Sequence, residues 1–215
     1  MEAGAIPRRD PTIGETGVAR QDVAPTPTIA DPGPLGLAGF AMTTFVLSMY
    51  NANLVNAKGI SIVLGLALFY GGLAQLLAGM WEFRTGNTFG AVAFTSYGAF
   101  WLSFWAFEQF YADKIKDPAV LGHAVGLYLI AWGIFTTYMF VASLRTTAAI
   151  ALVFILLAAT YWILGIGNAG AHTGIVKFGG WVGLVTAAAA WYASFAAVTN
   201  STFKRTVLPV VPLSR

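Results

Sequence analysis

The chain has 215 residues, of which 57% are hydrophobic and 10% charged, and its mean hydropathy is +0.70. A soluble domain carries about a quarter charged residues, so this composition excludes an ordinary water-soluble fold and points to a bilayer. With no cysteine, disulfides, thiolate nucleophiles and cysteine-ligated metals are excluded. The net charge of +3, in so apolar a chain, reflects membrane topology and not a nucleic-acid partner.

Residues 1–30 are rich in Pro, Thr, Gly and Asp without apolar period, the composition of a disordered tail. Arg8-Arg9 is not an export signal, because no apolar stretch follows within the next dozen residues. From Asp31 the chain turns apolar. Pro32 and Pro34 frame Gly33, and Pro34 suits a first helical position, where its missing N–H costs nothing. Asp31 is placed to cap that start.

Six apolar spans follow, at about 34–52, 60–82, 88–111, 119–143, 147–166 and 174–199, each near the ~20 residues that cross a ~30 Å hydrocarbon core. Backbone polar groups inside lipid must be satisfied within the segment, so the spans are helices. The fold class expected is an all-α integral membrane protein with six transmembrane helices around a central funnel-like pathway. Residues 31–203 form the membrane domain and 204–215 a second tail. Short connections make neighbouring helices antiparallel. An even number of spans puts both termini on one side, with Arg8, Arg9, Arg20, Arg84, Arg145, Lys204, Arg205 and Arg215. Lys58, Lys114, Lys116 and Lys177 fall on the other. Eight basic residues against four place the termini in the cytoplasm.

Glycines recur every seven residues at Gly65, Gly72 and Gly79, and Gly179, Gly183 and Ala187 every four. Such faces let backbones approach closely. No Asp, Glu, Lys or Arg falls near the centre of a span. Glu82 and Glu108 sit near helix ends, and His123 and His172 lie near the boundary opposite the termini. A charged relay through the membrane centre is therefore not expected. Any coupled proton travels on the substrate or is handled at the mouths.

Counting depth at about 1.5 Å per residue from the terminal side brings Phe40, Tyr97 and Leu157 to about 9, 14 and 15 Å. Three bulky side chains at a common level make a hydrophobic constriction, or ordinary core packing; periodicity alone does not separate the two. Thr43, Thr44, Asn51, Gln75 and Asn168 are neutral polar groups that bind a carboxylate weakly, or bond helix to helix. Glu82 and Asp31 are gating or proton-handling candidates, with a salt bridge to Arg84 as the plain structural alternative for Glu82.

The order of motifs is more specific. DPGPLGLAGFAMTTF begins at Asp31, FYGGLAQ at Phe69, GNTFG at Gly86 and TSYGAFW at Thr95. Gly167-Asn168, FGGWVG from Phe178 and RTVLP from Arg205 follow. This resembles, over residues 31–210, the acetate uptake transporter family, the YaaH-type succinate-acetate permeases of bacteria and their fungal relatives. The resemblance implies transport of acetate and related short carboxylates, succinate among them, across the plasma membrane, by proton-coupled uptake or an anion path. It implies a homo-hexamer with one funnel per protomer, no cofactor and no enzymatic activity. In the family the Phe after L-G-L-x-G, the Tyr of T-S-Y-G and a Leu of the fifth span form the narrowest point. These match Phe40, Tyr97 and Leu157, and a size-tuning small residue of the sixth span matches Ala190. Asp31 stands where the family has Asn, which sets a like charge against an incoming carboxylate and puts a direct anion role there in doubt. A membrane-bound enzyme lacks any nucleophile-base pair or metal cluster in this sequence. A non-transporting sensor and a neutral-solute channel are the other readings, and no N-P-A pair supports a water channel.

Overall fold

The computed structural model describes residues 29–213; the expectation for the first 28 residues lies outside them. Among the described residues the chain forms six long rods. They are α1 (Gly33–Asn51), α2 (Ile62–Leu68) continued through a π-helical segment (Phe69–Ala74) into α3 (Gln75–Thr85), α4 (Thr88–Phe110), α5 (Pro118–Ser143), α6 (Ala148–Ala169) and α7 (Thr173–Phe203). Five are long and apolar enough to cross a membrane by length and composition. The exception is α4, whose 23 residues include two Trp, a Tyr, two Ser and a Glu that dilute its hydropathy. At the start of α1, Asp31 accepts the Gly33 N–H at 2.8 Å, so the cap acts one residue earlier than a regular N-cap, with Pro32 between.

The π-helical segment has no counterpart in the sequence reading. It lies on the FYGGLA run, and its Gly71 leaves room for Thr43 of α1 and Trp101 of α4, while the Tyr70 carbonyl sits where a side chain on Gly39 would have to go. A widened turn of this kind displaces the backbone laterally and is enriched at functional sites.

Two three-rod groups pack together. In one, the second rod lies against α1 and α4; in the other, α6 lies between α5 and α7. The groups join where α1 packs along α7, with Gly180 under the backbone of Asn51 and Ala52 and Gly183 under Ser48. There the Ser194 hydroxyl donates to the Pro34 carbonyl at 2.7 Å. On the opposite side α4 and α5 barely touch through their backbones, and aromatic rings fill the seam. The rods thus close a ring whose interior is side chain.

The second tail is not loose up to Leu213. Asn200 of α7 accepts the Val207 and Leu208 N–H groups at 2.7 and 2.9 Å and donates to the Leu208 carbonyl at 2.8 Å. Tyr192 donates to the Pro209 carbonyl at 2.7 Å. Val211 and Val210 then accept the Ala148 and Ala149 N–H groups at 2.8 and 3.3 Å, and Leu213 donates to Thr146 at 2.9 Å. The first N–H groups of a helix have no partner in their own helix; here the strap supplies carbonyls to α6.

Candidate functional site

Two cavities enter the bundle from opposite ends, and no described residue lines both. The terminal cavity, about 340 Å³, lies at the end where α1 begins and α7 finishes, among Asp31, Leu37, Glu82, Phe94, Phe154 and Asn200. The distal cavity, about 640 Å³, is walled by Leu47, Asn51, Phe100, Tyr128, Leu164 and Asn168, with Glu108 at its mouth.

Chain order fixes what lies between them. On α1, Leu37 faces the terminal cavity and Leu47 the distal one, with Phe40 between. On α4 the sequence is Phe94, Tyr97, Phe100, and on α6 it is Phe154, Leu157, Leu164. Phe40, Tyr97 and Leu157 are 4%, 3% and 4% exposed and belong to one contiguous core with Ala190 of α7, which is 0% exposed. Phe40 and Tyr97 have ring centroids 6.0 Å apart. The structure therefore brings the four sequence-derived constriction residues into the partition between the cavities.

It adds two that sequence reasoning missed. Phe154 packs with its ring centroid 6.1 Å from that of Tyr97, on the terminal side. Thr136 of α5, fully buried, shares a hydrogen bond of 2.9 Å with the Tyr97 hydroxyl. The polar pair Thr136-Thr137 in an apolar span was the available signal for Thr136, and it does not say which of the two turns inward. With that bond made, the Tyr97 phenol is already satisfied, and the partition otherwise presents rings and methyl groups together with a second buried phenol, Tyr161 of α6.

The other predicted residues separate into two sets. Asn51 and Asn168 line the distal cavity, and Asp31 and Glu82 the terminal one. Asn168 is oriented by its own helix, donating from Nδ2 to the Leu164 carbonyl at 2.8 Å. Thr43, Thr44 and Gln75 line neither cavity. Thr43 donates to the Gly39 carbonyl at 2.8 Å and packs on the π-helical segment, while Thr44 Oγ1 and Gln75 Oε1 are buried without a protein partner. Glu82, 2% exposed, accepts from the Thr85 hydroxyl at 3.1 Å and feels the like charge of Asp31. Arg84, two residues on, is exposed and is not among the groups whose charge acts on Glu82.

A model of the GPR1/FUN34/yaaH family matches residues 15–215. The chain is 42% identical over 182 residues to the succinate-acetate/proton symporter SatP of Escherichia coli, covering 85% of this chain and 95% of that protein. It is 44% identical over 196 residues to the ammonia transport outward protein 2 of Saccharomyces cerevisiae, covering 86% of this chain and 67% of that one. Among solved structures it superimposes on the bacterial acetate channel SatP with a TM-score of 0.79 at 41% identity, over 85% of this chain and 99% of that one. Motif order, helix arrangement and these matches agree: the chain belongs to the GPR1/FUN34/yaaH family.

Proposed function

We propose that the protein transports acetate and related short carboxylic acids, succinate among them, across the plasma membrane. The observation that carries this is the pair of end-to-end cavities separated only by the neck at Phe40, Tyr97, Leu157 and Ala190. A hydrophobic neck of this kind passes a small, partly apolar solute and stops hydrated ions by dewetting. Relatives named for acetate and succinate transport support the substrate class.

In this reading all six rods span the bilayer, α4 included, and the terminal cavity opens to the cytoplasm, as the basic residues direct. Asn51 and Asn168 give the solute a weak polar station before the neck, and Glu82 with Asp31 governs the cytoplasmic mouth. Protomers associate into a homo-oligomer, a hexamer, each with its own pathway. The protein catalyses no chemical conversion.

The test is uptake of radiolabelled acetate by proteoliposomes under imposed pH and voltage gradients, with protein-free vesicles subtracted. Leu157→Ala and Ala190→Gly enlarge the neck and are expected to admit longer acids, raising their uptake relative to acetate severalfold. Selectivity unchanged in both variants would remove the neck from its role, and no uptake above protein-free vesicles would end the transport reading.

A further inference from the structure

Of the tyrosines inside the ring of rods, Tyr97 and Tyr128 have hydroxyls that are already engaged. Tyr97 shares a hydrogen bond of 2.9 Å with Thr136. Tyr128 shares one of 2.7 Å with the Ser103 hydroxyl and lies 3.1 Å from the Phe100 carbonyl. Tyr161 of α6 differs: it is 4% exposed, its hydroxyl makes no hydrogen bond with a described residue, and Tyr97 and Tyr128 act on it only electrostatically. Nor is its oxygen sealed in. The unpartnered polar side-chain atoms shut inside the protein are Thr44 Oγ1, Gln75 Oε1, Thr95 Oγ1 and Trp101 Nε1, so the Tyr161 oxygen borders open space. A phenol kept from bulk water without a partner is costly, and in a folded protein such a group calls for an explanation.

Helix geometry says which space. Leu157, Tyr161, Leu164 and Asn168 follow one another on α6 at steps of four, three and four residues, which puts them on one face of the helix. Leu157 belongs to the neck, and Leu164 and Asn168 wall the distal cavity. Tyr161 therefore stands one helical turn beyond the neck, at the inner end of that cavity and about 10 Å deeper than Asn168. Phe100, which lines the cavity, meets the Tyr161 ring edge-on with centroids 5.4 Å apart. One N–H of Asn168 is held by the Leu164 carbonyl. Among the described residues, the Tyr161 hydroxyl is thus the deepest free hydrogen-bond donor on the distal side, and beyond it lie rings and methyl groups.

We infer that the Tyr161 hydroxyl is the innermost contact for the solute on the distal side, donating a hydrogen bond to a carboxyl oxygen immediately before the neck. The inference rests on the transport reading above and adds an affinity-determining residue to it. A phenol donates to a carboxyl oxygen without carrying a charge of its own, so it holds the solute less firmly than the paired, charged bonds of an arginine would. One neutral donor suits a pathway in which binding must be weak enough to let the solute leave. Packing alone would be served by phenylalanine, as it is at Phe100 and Phe154, which share the same core. The hydroxyl adds a desolvation cost that no group of the protein offsets, and a carboxyl group arriving from the cavity does.

The experiment compares the full-length wild type with Tyr161→Phe, which removes only the hydroxyl. In proteoliposomes, with protein-free vesicles subtracted, uptake of radiolabelled acetate is measured over a range of concentrations at one pH. The variant is expected to need about tenfold more acetate for half-saturation, the effect of losing one hydrogen bond to a carboxylate, with its maximal flux no lower than wild type. Thermal unfolding in detergent supplies a readout that does not depend on flux. Without acetate the variant is expected to melt at the wild-type temperature or slightly above it, because no bond within the protein is lost. Acetate at ten times the wild type's half-saturating concentration is expected to stabilise the variant about a third as much as the wild type. A variant that melts lower without acetate, yet responds to acetate as the wild type does, would show a structural hydroxyl and overturn the inference. So would a wild-type half-saturating concentration in Tyr161→Phe. Absence of acetate uptake by the wild type at every concentration would instead defeat the transport reading itself.

Discussion

At the scale of single residues the neck is held by one hydrogen bond within an aromatic cluster. Tyr97 has ring centroids of Phe40, Phe135, Trp132 and Phe154 at 5.5–6.1 Å and spends its hydroxyl on Thr136. Tyr97→Phe keeps the ring but leaves a buried threonine hydroxyl with only its own helix to bond, as Thr137 does with Gly133. A cost of about 1 kcal/mol is expected, read as a fall of a few degrees in melting temperature in detergent. Tyr97→Phe combined with Thr136→Val recovers most of it, because removing both partners is nearly neutral; a double variant as unstable as the sum of the singles would show that the bond is not what links these positions. Phe40 and Tyr97 were legible because they stand inside motifs. Thr136 was not, because neighbouring Thr137 is an equal candidate and an apolar helix facing lipid carries no amphipathic stripe to say which side turns inward.

At the scale of elements, the spans were legible to within a few residues because apolar length is set by bilayer thickness. The π-helical segment was invisible: nothing in FYGGLA distinguishes a five-residue from a four-residue hydrogen-bond step until α1 and α4 are packed against it. Glycine periodicity read in isolation also misjudged which glycines matter. Gly65, part of the seven-residue repeat, has open space within 4 Å of the point where a side chain would begin, whereas Gly180 lies directly under the backbone of Ala52. Gly180→Leu is therefore expected to separate α1 from α7, costing about 3 kcal/mol or more, while Gly65→Leu leaves the protomer's melting temperature unchanged or slightly raised. Thermal unfolding of the two purified variants side by side decides this, and equal destabilisation would contradict the packing described.

At the scale of the whole molecule, the ring of rods leaves an open chamber at each end and a dry partition in the middle. The all-helical arrangement was foreseeable from the sequence, but the strap at residues 207–213 was not. RTVLPVVP reads as a proline-spaced tail, and its anchors, Tyr192 and Asn200, lie inside the preceding helix. Asn200→Ala removes three hydrogen bonds at once, about 1 kcal/mol each, and is expected to expose residues 204–213 to protease and to speed amide exchange at Ala148 and Ala149; wild-type protection at both amides would refute that linkage. Because Val210 and Asn200 are also part of the terminal cavity's wall, the strap works like a drawstring threaded through the rim. Tension on the chain beyond Leu213, from a fused label or from a protein that grips it, would be delivered straight to the aperture and to the start of α6, without any signal having to cross the bundle.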